Sequence, residues 1–179
     1  MPNLNRKGLE SGRASLTLRG LAFSLGLLTS LGVLAAEVGE KAPSFSLVSL
    51  TSNETVSLDD FKGKVVILDF WASWCGPCLV AMPKLSALSD SLPNDKAALL
   101  AISVDSDPRR AKRFMTKMGA TYDSLIDPEG DVAGIYDLPG MPTTFVIDQE
   151  GKITAQLVGF TPGDEDKLLR DVATLYDND

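Results

Sequence analysis

Residues 65–78 read VVILDFWASWCGPC, and the rest of the chain is interpreted outward from this stretch. The β-branched apolar run at its start predicts a buried strand. Cys75 and Cys78, the only cysteines of the chain, enclose Gly76 and Pro77, and apolar residues at helical spacing follow. The sequence therefore predicts that both cysteines lie at a strand-to-helix turn, on the N-terminus of a helix. A thiolate is favoured there, because the free amides and the macrodipole of the helix stabilise negative charge.

The composition excludes several classes of protein and site. The 179 residues allow one ordinary globular domain. The absence of histidine excludes Ser/His and Cys/His catalytic pairs, histidine-ligated metals and haem attachment through Cys-x-x-Cys-His. With 24 acidic against 17 basic residues, the chain lacks the basic stripe that nucleic-acid binding requires, so no nucleic-acid partner is expected.

The N-terminal segment has the order of an export signal. Four basic residues precede the apolar stretch 21–34, and Ala35 and Ala36 follow it. This order predicts a signal peptide over residues 1–36, cleaved after Ala35 or Ala36. An uncleaved membrane anchor is the alternative, although the apolar stretch is shorter than the roughly 20 residues needed to span a bilayer. Residues 37–179 are therefore expected to be periplasmic or exported, or to be anchored to the inner membrane and face the periplasm.

The remaining segments predict the elements of an α/β domain. Apolar alternation around a polar turn indicates a short hairpin within residues 37–61. The helix after the cysteines is followed by a buried strand at 97–104 and a second helix that ends at Gly119. Residues 143–148 and 153–158 are expected to form a hairpin, and a last helix is expected after it. This order predicts a central sheet of parallel and antiparallel strands with helices on both faces.

The second of these helices carries the one basic cluster of residues 37–179. This part of the chain has 13 basic and 23 acidic residues. The clustered cations are Arg109, Arg110, Lys112, Arg113 and Lys117. A solvated helix face is the plain interpretation of such a cluster, and a surface for docking a partner is the alternative.

Three roles are open to the cysteine pair. A structural disulfide is a serious alternative in an exported protein, but a bridge across two intervening residues would constrain the unfolded chain little. A zinc site needs two further cysteine or histidine ligands, which the chain does not contain. Redox exchange is therefore favoured, with Cys75 as the attacking thiolate and Cys78 as the thiol that resolves the mixed disulfide. No metal or cofactor is expected.

Asp69 interrupts the apolar run, and strand alternation places it on the same face as Ile67 and Trp71. A buried carboxyl without a cationic partner has a raised pKa, which suits Asp69 to accept a proton from Cys78 through water. An ordinary acid at a strand edge is the alternative. For Trp71, below the loop, and Trp74, beside the sulfurs, core packing and substrate contact are both reasonable.

These features resemble the thioredoxin superfamily. The motif FWASWCGPC, an acid six residues before the first cysteine, Pro83 five residues after the second, and the segment GMPTTFVID occur in that family's order and approximate spacing. The resemblance covers residues 37–175. Within the superfamily, the signal-like segment and the N-terminal hairpin are similar to the exported TlpA/ResA-like branch, which is related to the redoxin and AhpC/TSA domains. It implies a thioredoxin fold, a mixed sheet flanked by helices, with an N-terminal β-hairpin extension.

The resemblance also implies how a substrate is held. Pro142 is expected to follow a cis peptide bond and to face the cysteines. The backbone groups of Met141 and Thr143 are expected to be offered to a substrate strand. The other residues expected to contact substrate are Trp74, Gly76 and Pro77.

Two departures from the TlpA/ResA-like branch bear on function. That branch commonly has a glutamate three residues after the second cysteine and often an asparagine at the position of Asp69, whereas this chain has Ala81 and Asp69. The glutamate that cytochrome-maturation members often have after the cis proline is replaced by Thr143. The working carboxylate thus lies where cytoplasmic thioredoxins have theirs, which favours a broad reductant over specialisation for apocytochrome.

The favoured function is a thiol:disulfide oxidoreductase that reduces disulfides of exported client proteins and is re-reduced by a membrane thiol reductant. The Gly-Pro dipeptide resembles that of reducing thioredoxins, whose potential is about −270 mV, against about −120 mV for strong oxidants. A thiol peroxidase of the redoxin type is one alternative, but no arginine lies near the motif in the sequence. A copper-site assembly factor is another alternative, but this chain lacks the histidine that such copper sites usually contain.

Overall fold

The computed structural model describes residues 36–176, which belong to one compact unit. The signal peptide or anchor predicted for residues 1–36 lies, apart from its last residue, outside this described part. Within residues 36–176, no helix is long and apolar enough to cross a membrane.

The described residues form a mixed sheet of seven strands in the order β2-β1-β5-β4-β3-β6-β7. The strands are β1 (Ser46–Ser49), β2 (Thr55–Ser57), β3 (Val65–Trp71), β4 (Ala97–Ser103), β5 (Ser124–Ile126), β6 (Thr143–Ile147) and β7 (Ile153–Val158). Strand β3 lies in the interior of the sheet, parallel to β4 and antiparallel to β6. Every residue of β3 is buried, which confirms the strand predicted from its apolar run.

Helices cover both faces of this sheet, as the order of elements predicted. They are α1 (Cys78–Ser91), α2 (Pro108–Met118), α3 (Asp131–Ile135) and α4 (Asp164–Tyr176). Alternate residues of β3 point to opposite faces. Ile67 and Trp71 share a buried cluster with residues of α1, α2 and α4, whereas Leu68 and Phe70 pack with Val132 of α3. Cys75 and Cys78 belong to the same buried cluster as Ile67 and Trp71, so the candidate redox site lies on the face covered by α1, α2 and α4.

The N-terminal part of the domain extends the sheet as predicted. Strands β1 and β2 form an antiparallel hairpin, and β1 also pairs with β5. Leu58, expected within this hairpin, instead begins a 3₁₀ turn, Leu58–Phe61, in which Asp60 accepts a hydrogen bond from the amide of Ser57. The segment before β1 lies at the opposite edge of the sheet, beside β7. There the amide of Gly39 donates a hydrogen bond to the carbonyl of Ile153 (2.8 Å). That contact lies at the end of the sheet where β3 begins, because Ile153 pairs with the last residue of β6.

Candidate active site

The two cysteines lie between the end of β3 and the first turn of α1, as predicted. They form a disulfide, and the exposed fraction is 5% for Cys75 and 1% for Cys78. The amide of Cys78 donates a hydrogen bond to the Sγ of Cys75 (3.2 Å). Because Cys78 is the first residue of the helix, this amide is one of those left free by the helical hydrogen-bond pattern. In the reduced protein, the same amide would stabilise a thiolate on Cys75.

Asp69 is buried in the middle of β3 and is 2% exposed. In the sheet it lies opposite Thr144 of β6, whose hydroxyl donates a hydrogen bond to its Oδ1 (2.8 Å). Burial raises the pKa of Asp69 to about 7, and the hydrogen bond from Thr144 opposes part of this rise. The expected raised pKa is confirmed, and the alternative of a strand-edge acid is wrong because β3 is an interior strand. The partner Thr144 was not predicted from the sequence.

Tyr122 is a second buried ionisable group on this face of the sheet. It belongs to the cluster that contains both cysteines and is 6% exposed. Its hydroxyl has no hydrogen-bond partner among the described residues. Burial, and to a smaller degree the negative charge of Asp69, raise the pKa of Tyr122 well above its ordinary value. Tyr122 therefore remains a neutral phenol at physiological pH.

The two tryptophans have different environments. Trp71 is fully buried, donates a hydrogen bond from Nε1 to the Oγ of Ser124 (2.9 Å) and stacks on Phe114 of α2, with ring centroids 5.6 Å apart. Trp74 is 60% exposed. Core packing is thus the correct interpretation for Trp71 and the wrong one for Trp74, which presents most of its surface to solvent beside Cys75.

The bond between Met141 and Pro142 is cis, as the resemblance implied. Thr143 begins β6 and pairs with Phe70, so Pro142 lies at the edge of the sheet from which the cysteine loop leaves β3. The side chain of Thr143 is buried and donates a hydrogen bond to the carbonyl of Gly140 (2.8 Å).

Of the other residues predicted to contact substrate, Gly76 and Pro77 are exposed and Met141 is half-buried. The carbonyl of Pro142 already accepts a hydrogen bond from the amide of Gly159 (2.8 Å). Substrate binding by the backbone of Met141 and Thr143 stays a prediction.

A buried aspartate that the sequence did not indicate holds the loop before the cysteines. Asp105, 2% exposed, accepts hydrogen bonds from the amide of Ser73 (2.8 Å), the hydroxyl of Ser73 (2.6 Å) and the hydroxyl of Ser103 (3.0 Å). The C-terminal ends of the parallel strands β3 and β4 meet at one edge of the sheet, which brings Asp105 next to Ser73. Asp105 therefore positions the segment that leads to Cys75.

Arginine is also closer to the motif than the sequence suggested. Arg110 and Arg113 of α2 line a cleft together with Ser73, two residues before Cys75. The expectation that no arginine lies near the motif holds along the chain but is wrong in space, because Phe114 packs α2 against Trp71.

Comparison with known proteins gives the family. The model of the AhpC/TSA family matches residues 38–156, which is more than half of the chain. The chain belongs to the AhpC/TSA family. This AhpC/TSA protein is 32% identical over 123 residues to the thiol-disulfide oxidoreductase ResA of Bacillus thuringiensis (strain Al Hakam), covering 69% of this chain and 70% of that protein.

Solved structures agree with this assignment. A Chlorobium tepidum protein assigned as a candidate thiol:disulfide interchange protein DsbE is 35% identical with a TM-score of 0.74, covering 79% of this AhpC/TSA chain and 99% of its own. The exposed lipoprotein thioredoxin Etrx1 of Streptococcus pneumoniae is 28% identical with a TM-score of 0.66, covering 74% of this chain and 100% of its own. The AhpC/TSA chain thus has the thioredoxin fold and is a TlpA/ResA-like member of the thioredoxin superfamily.

Proposed function

We propose that this thiol-disulfide oxidoreductase acts as a reductant of exported client proteins, with Cys75 as the attacking group and Cys78 as the resolving group. The observation that supports this division of roles most directly is the hydrogen bond from the Cys78 amide to the Sγ of Cys75. This contact supports Cys75 as the sulfur on which the N-terminus of α1 stabilises a negative charge in the reduced protein. Cys75 is also the more exposed of the two.

The reduction proceeds by two thiol-disulfide exchanges. The Cys75 thiolate attacks one sulfur of the client disulfide, forms a mixed disulfide and releases the other client sulfur as a thiolate. Cys78 then loses its proton and attacks the Sγ of Cys75, which releases the second client sulfur and leaves the Cys75–Cys78 disulfide. Two electrons pass from the protein to the client. The Cys78 proton ends on one client sulfur, and the other client thiolate takes up from solvent the proton that Cys75 had released.

Asp69 is the group that we propose accepts the Cys78 proton through water. Its carboxyl lies on the same face of β3 as the cluster that holds both sulfurs. A pKa of about 7 means that Asp69 can both take up and release a proton near neutral pH. Thr144 keeps the carboxyl in place through its hydrogen bond.

Exposed apolar side chains around the cysteines suit a protein substrate. Trp74, Leu79 and Val80 are between 46% and 60% exposed and flank the motif, and Val158 is 52% exposed on the strand that pairs with Thr143. Solvent-exposed apolar side chains clustered around a reactive group are typical of a surface that contacts another protein. We infer that a client segment lies across this rim, beside Pro142.

An extracytoplasmic location fits the signal-like segment before residue 37 and the exposed pneumococcal lipoprotein among the similar structures. A disulfide reductant in an oxidising compartment needs a continuous supply of electrons. We therefore propose a membrane thiol reductant as the electron donor. In this role the donor returns the Cys75–Cys78 disulfide to the dithiol form.

A trapping experiment tests this function. With Cys78→Ser, the mixed disulfide on Cys75 cannot be resolved, so client proteins should accumulate as covalent complexes in an extracytoplasmic extract and be identified by mass. The matched control is Cys75→Ser, which leaves only the 1% exposed Cys78 and should trap little. Equal trapping by both variants, or none by Cys78→Ser, would contradict the proposed roles.

The direction of exchange and the alternatives have their own measurements. Equilibration with glutathione should give a reduction potential of about −270 mV for the cysteine pair. A value of about −120 mV would make the protein an oxidant. Consumption of hydrogen peroxide that is lost in Cys75→Ser would support the peroxidase alternative. Stoichiometric Cu(I) retained through dialysis would support the copper-site alternative.

A further inference from the structure

Helix α2 carries a concentrated positive charge on an acidic domain. Five of the 13 basic residues of residues 37–179 lie within this one helix, which contains no acidic residue. All five side chains are exposed. Its apolar residues, by contrast, face the domain, with Ala111 and Met115 buried. The helix is thus fixed to the core by one face and presents its cations on the other.

Four of these cations form no ion pair with a described residue. Arg109 pairs with Asp107 (3.2 Å). In the part of the chain that the structure describes, Arg110, Lys112, Arg113 and Lys117 form no salt bridge, and their side chains form no hydrogen bond. A solvated helix face in a protein with an excess of carboxylates is commonly laced with ion pairs. These cations are instead available to another molecule.

The cationic face adjoins the redox site. Arg110, Arg113 and Lys117 line a cleft with Phe114 and Ser73. Ser73 is two residues before Cys75 and is held by Asp105. Phe114 stacks on Trp71, directly below the cysteine loop. A molecule bound in this cleft therefore contacts the loop that leads to Cys75.

We propose that the cleft between α2 and the cysteine loop binds an acidic segment of the redox partner protein, one that carries carboxylates close to the disulfide to be exchanged. This inference rests on the proposed function and names the class of partner for that same site. A protein segment is favoured over a lipid surface, because the cleft adjoins the loop that carries Cys75, and a disulfide-bearing molecule held there gains access to the redox site.

The charge of the rest of the domain also favours binding of an acidic segment at this one cleft. Outside α2, the described residues are strongly acidic and repel an acidic partner in most orientations. Attraction confined to one cleft therefore increases the encounter rate and also orients the partner with its disulfide towards Cys75. Because the cations are exposed, the effect should depend strongly on ionic strength; the Debye length is about 10 Å at 0.1 M salt and about 3 Å at 1 M.

The test uses three synthetic peptides that share one disulfide ring and differ only in flanking residues: glutamates, glutamines or lysines. The protein is first reduced with dithiothreitol, and the second-order rate of peptide reduction is measured at low and high salt. The acidic peptide should react about tenfold faster than the neutral peptide at low salt, and less than about twofold faster at 1 M salt. The lysine peptide should react more slowly than the neutral one.

Charge reversal identifies the surface responsible. In the double variant Arg110→Glu with Arg113→Glu, the ratio of acidic to neutral peptide rates should fall below one. The matched control, Lys62→Glu with Lys152→Glu, makes the same change in net charge at the end of the sheet where β3 begins. The control should retain the preference for the acidic peptide.

The outcomes separate this inference from the function on which it rests. Failure to reduce the neutral peptide would contradict the proposed function itself. Equal rates for the three peptides, or equal losses in the two double variants, would overturn the acidic-partner inference and leave the function standing. Salt-sensitive binding to vesicles of anionic lipid, lost in the α2 variant while the three peptides react equally, would assign the cations to a membrane surface instead.

Discussion

Replacing Asp69 by asparagine should remove a pH-dependent loss of stability that the buried carboxyl causes. The pKa of this group rises from 3.8 to about 7 on folding, so between these values the folded state holds a proton that the unfolded state has released. Each pH unit in this window lowers the free energy of unfolding by about 1.4 kcal/mol. The contribution of protonated Asp69 to the free energy of unfolding is complete below pH 3.8. It is lost as the pH rises through about 7, and the total loss is about 4 kcal/mol.

The assay is urea unfolding followed by circular dichroism from pH 5 to pH 9, with the disulfide kept oxidised so that the cysteines do not titrate. Other groups titrate alike in both proteins, so the difference between Asp69→Asn and wild type isolates this one carboxyl. That difference should grow in favour of the variant by about 3 kcal/mol between pH 5 and pH 8 and then stay level. Asparagine can still accept the hydrogen bond from Thr144, so any cost of the new amide is independent of pH.

Two further variants test whether the raised pKa belongs to Asp69. Thr144→Val removes the hydrogen bond that opposes the rise of the Asp69 pKa, so its stability should continue to fall at pH values where the wild-type curve has levelled. Asp90→Asn removes a negative charge from an exposed position and reports the general effect of net charge. A difference between Asp69→Asn and wild type that stayed constant from pH 5 to pH 9 would refute a raised pKa at Asp69.

Three other substitutions have expected outcomes. Asp105→Ala removes the carboxylate that accepts two hydrogen bonds from Ser73. It should lower the free energy of unfolding by about 3 kcal/mol and slow reduction of a neutral disulfide peptide about tenfold. Unchanged peptide kinetics would show that the loop does not need Asp105. Trp71→Phe should cost about 2 kcal/mol or more in urea unfolding, since it leaves a cavity and removes the hydrogen bond to Ser124; a loss below about 0.5 kcal/mol would contradict this. Tyr122→Phe should instead raise the free energy of unfolding by about 1 kcal/mol, because it removes a buried hydroxyl without a partner among the described residues; a clear loss of stability would indicate a bound water at this hydroxyl.

Much of the site could be predicted because its determinants are local in the sequence. An apolar run followed by Cys-Gly-Pro-Cys and a helical pattern specifies a strand, a turn and a helix within one short stretch. The period of two along β3 was sufficient to place Asp69 on the face of Trp71 and to predict its burial and raised pKa. The cis bond before Pro142 followed from the resemblance rather than from any local pattern.

What could not be predicted depends on contacts between distant segments. Asp105 looks like an acid in a loop until the parallel pairing of β3 and β4 brings it to Ser73. Likewise, the register between β3 and β6 selects Thr144 rather than its neighbour Thr143 as the partner of Asp69. The position of the basic helix relative to the cysteines also depended on one tertiary contact, the stacking of Phe114 on Trp71. No spacing along the chain encodes these pairings.

The place where the chain joins the domain has a practical consequence. Ala36 is buried on the face of the sheet opposite the cysteines, and Gly39 bonds to Ile153 at the far end of β3 from Cys75. A tether attached ahead of Ala36 would therefore leave the protein at the pole remote from its reactive sulfurs. Immobilisation on a resin or an electrode through an N-terminal tag should leave the reactive pole turned outward, so that large partners can still reach it.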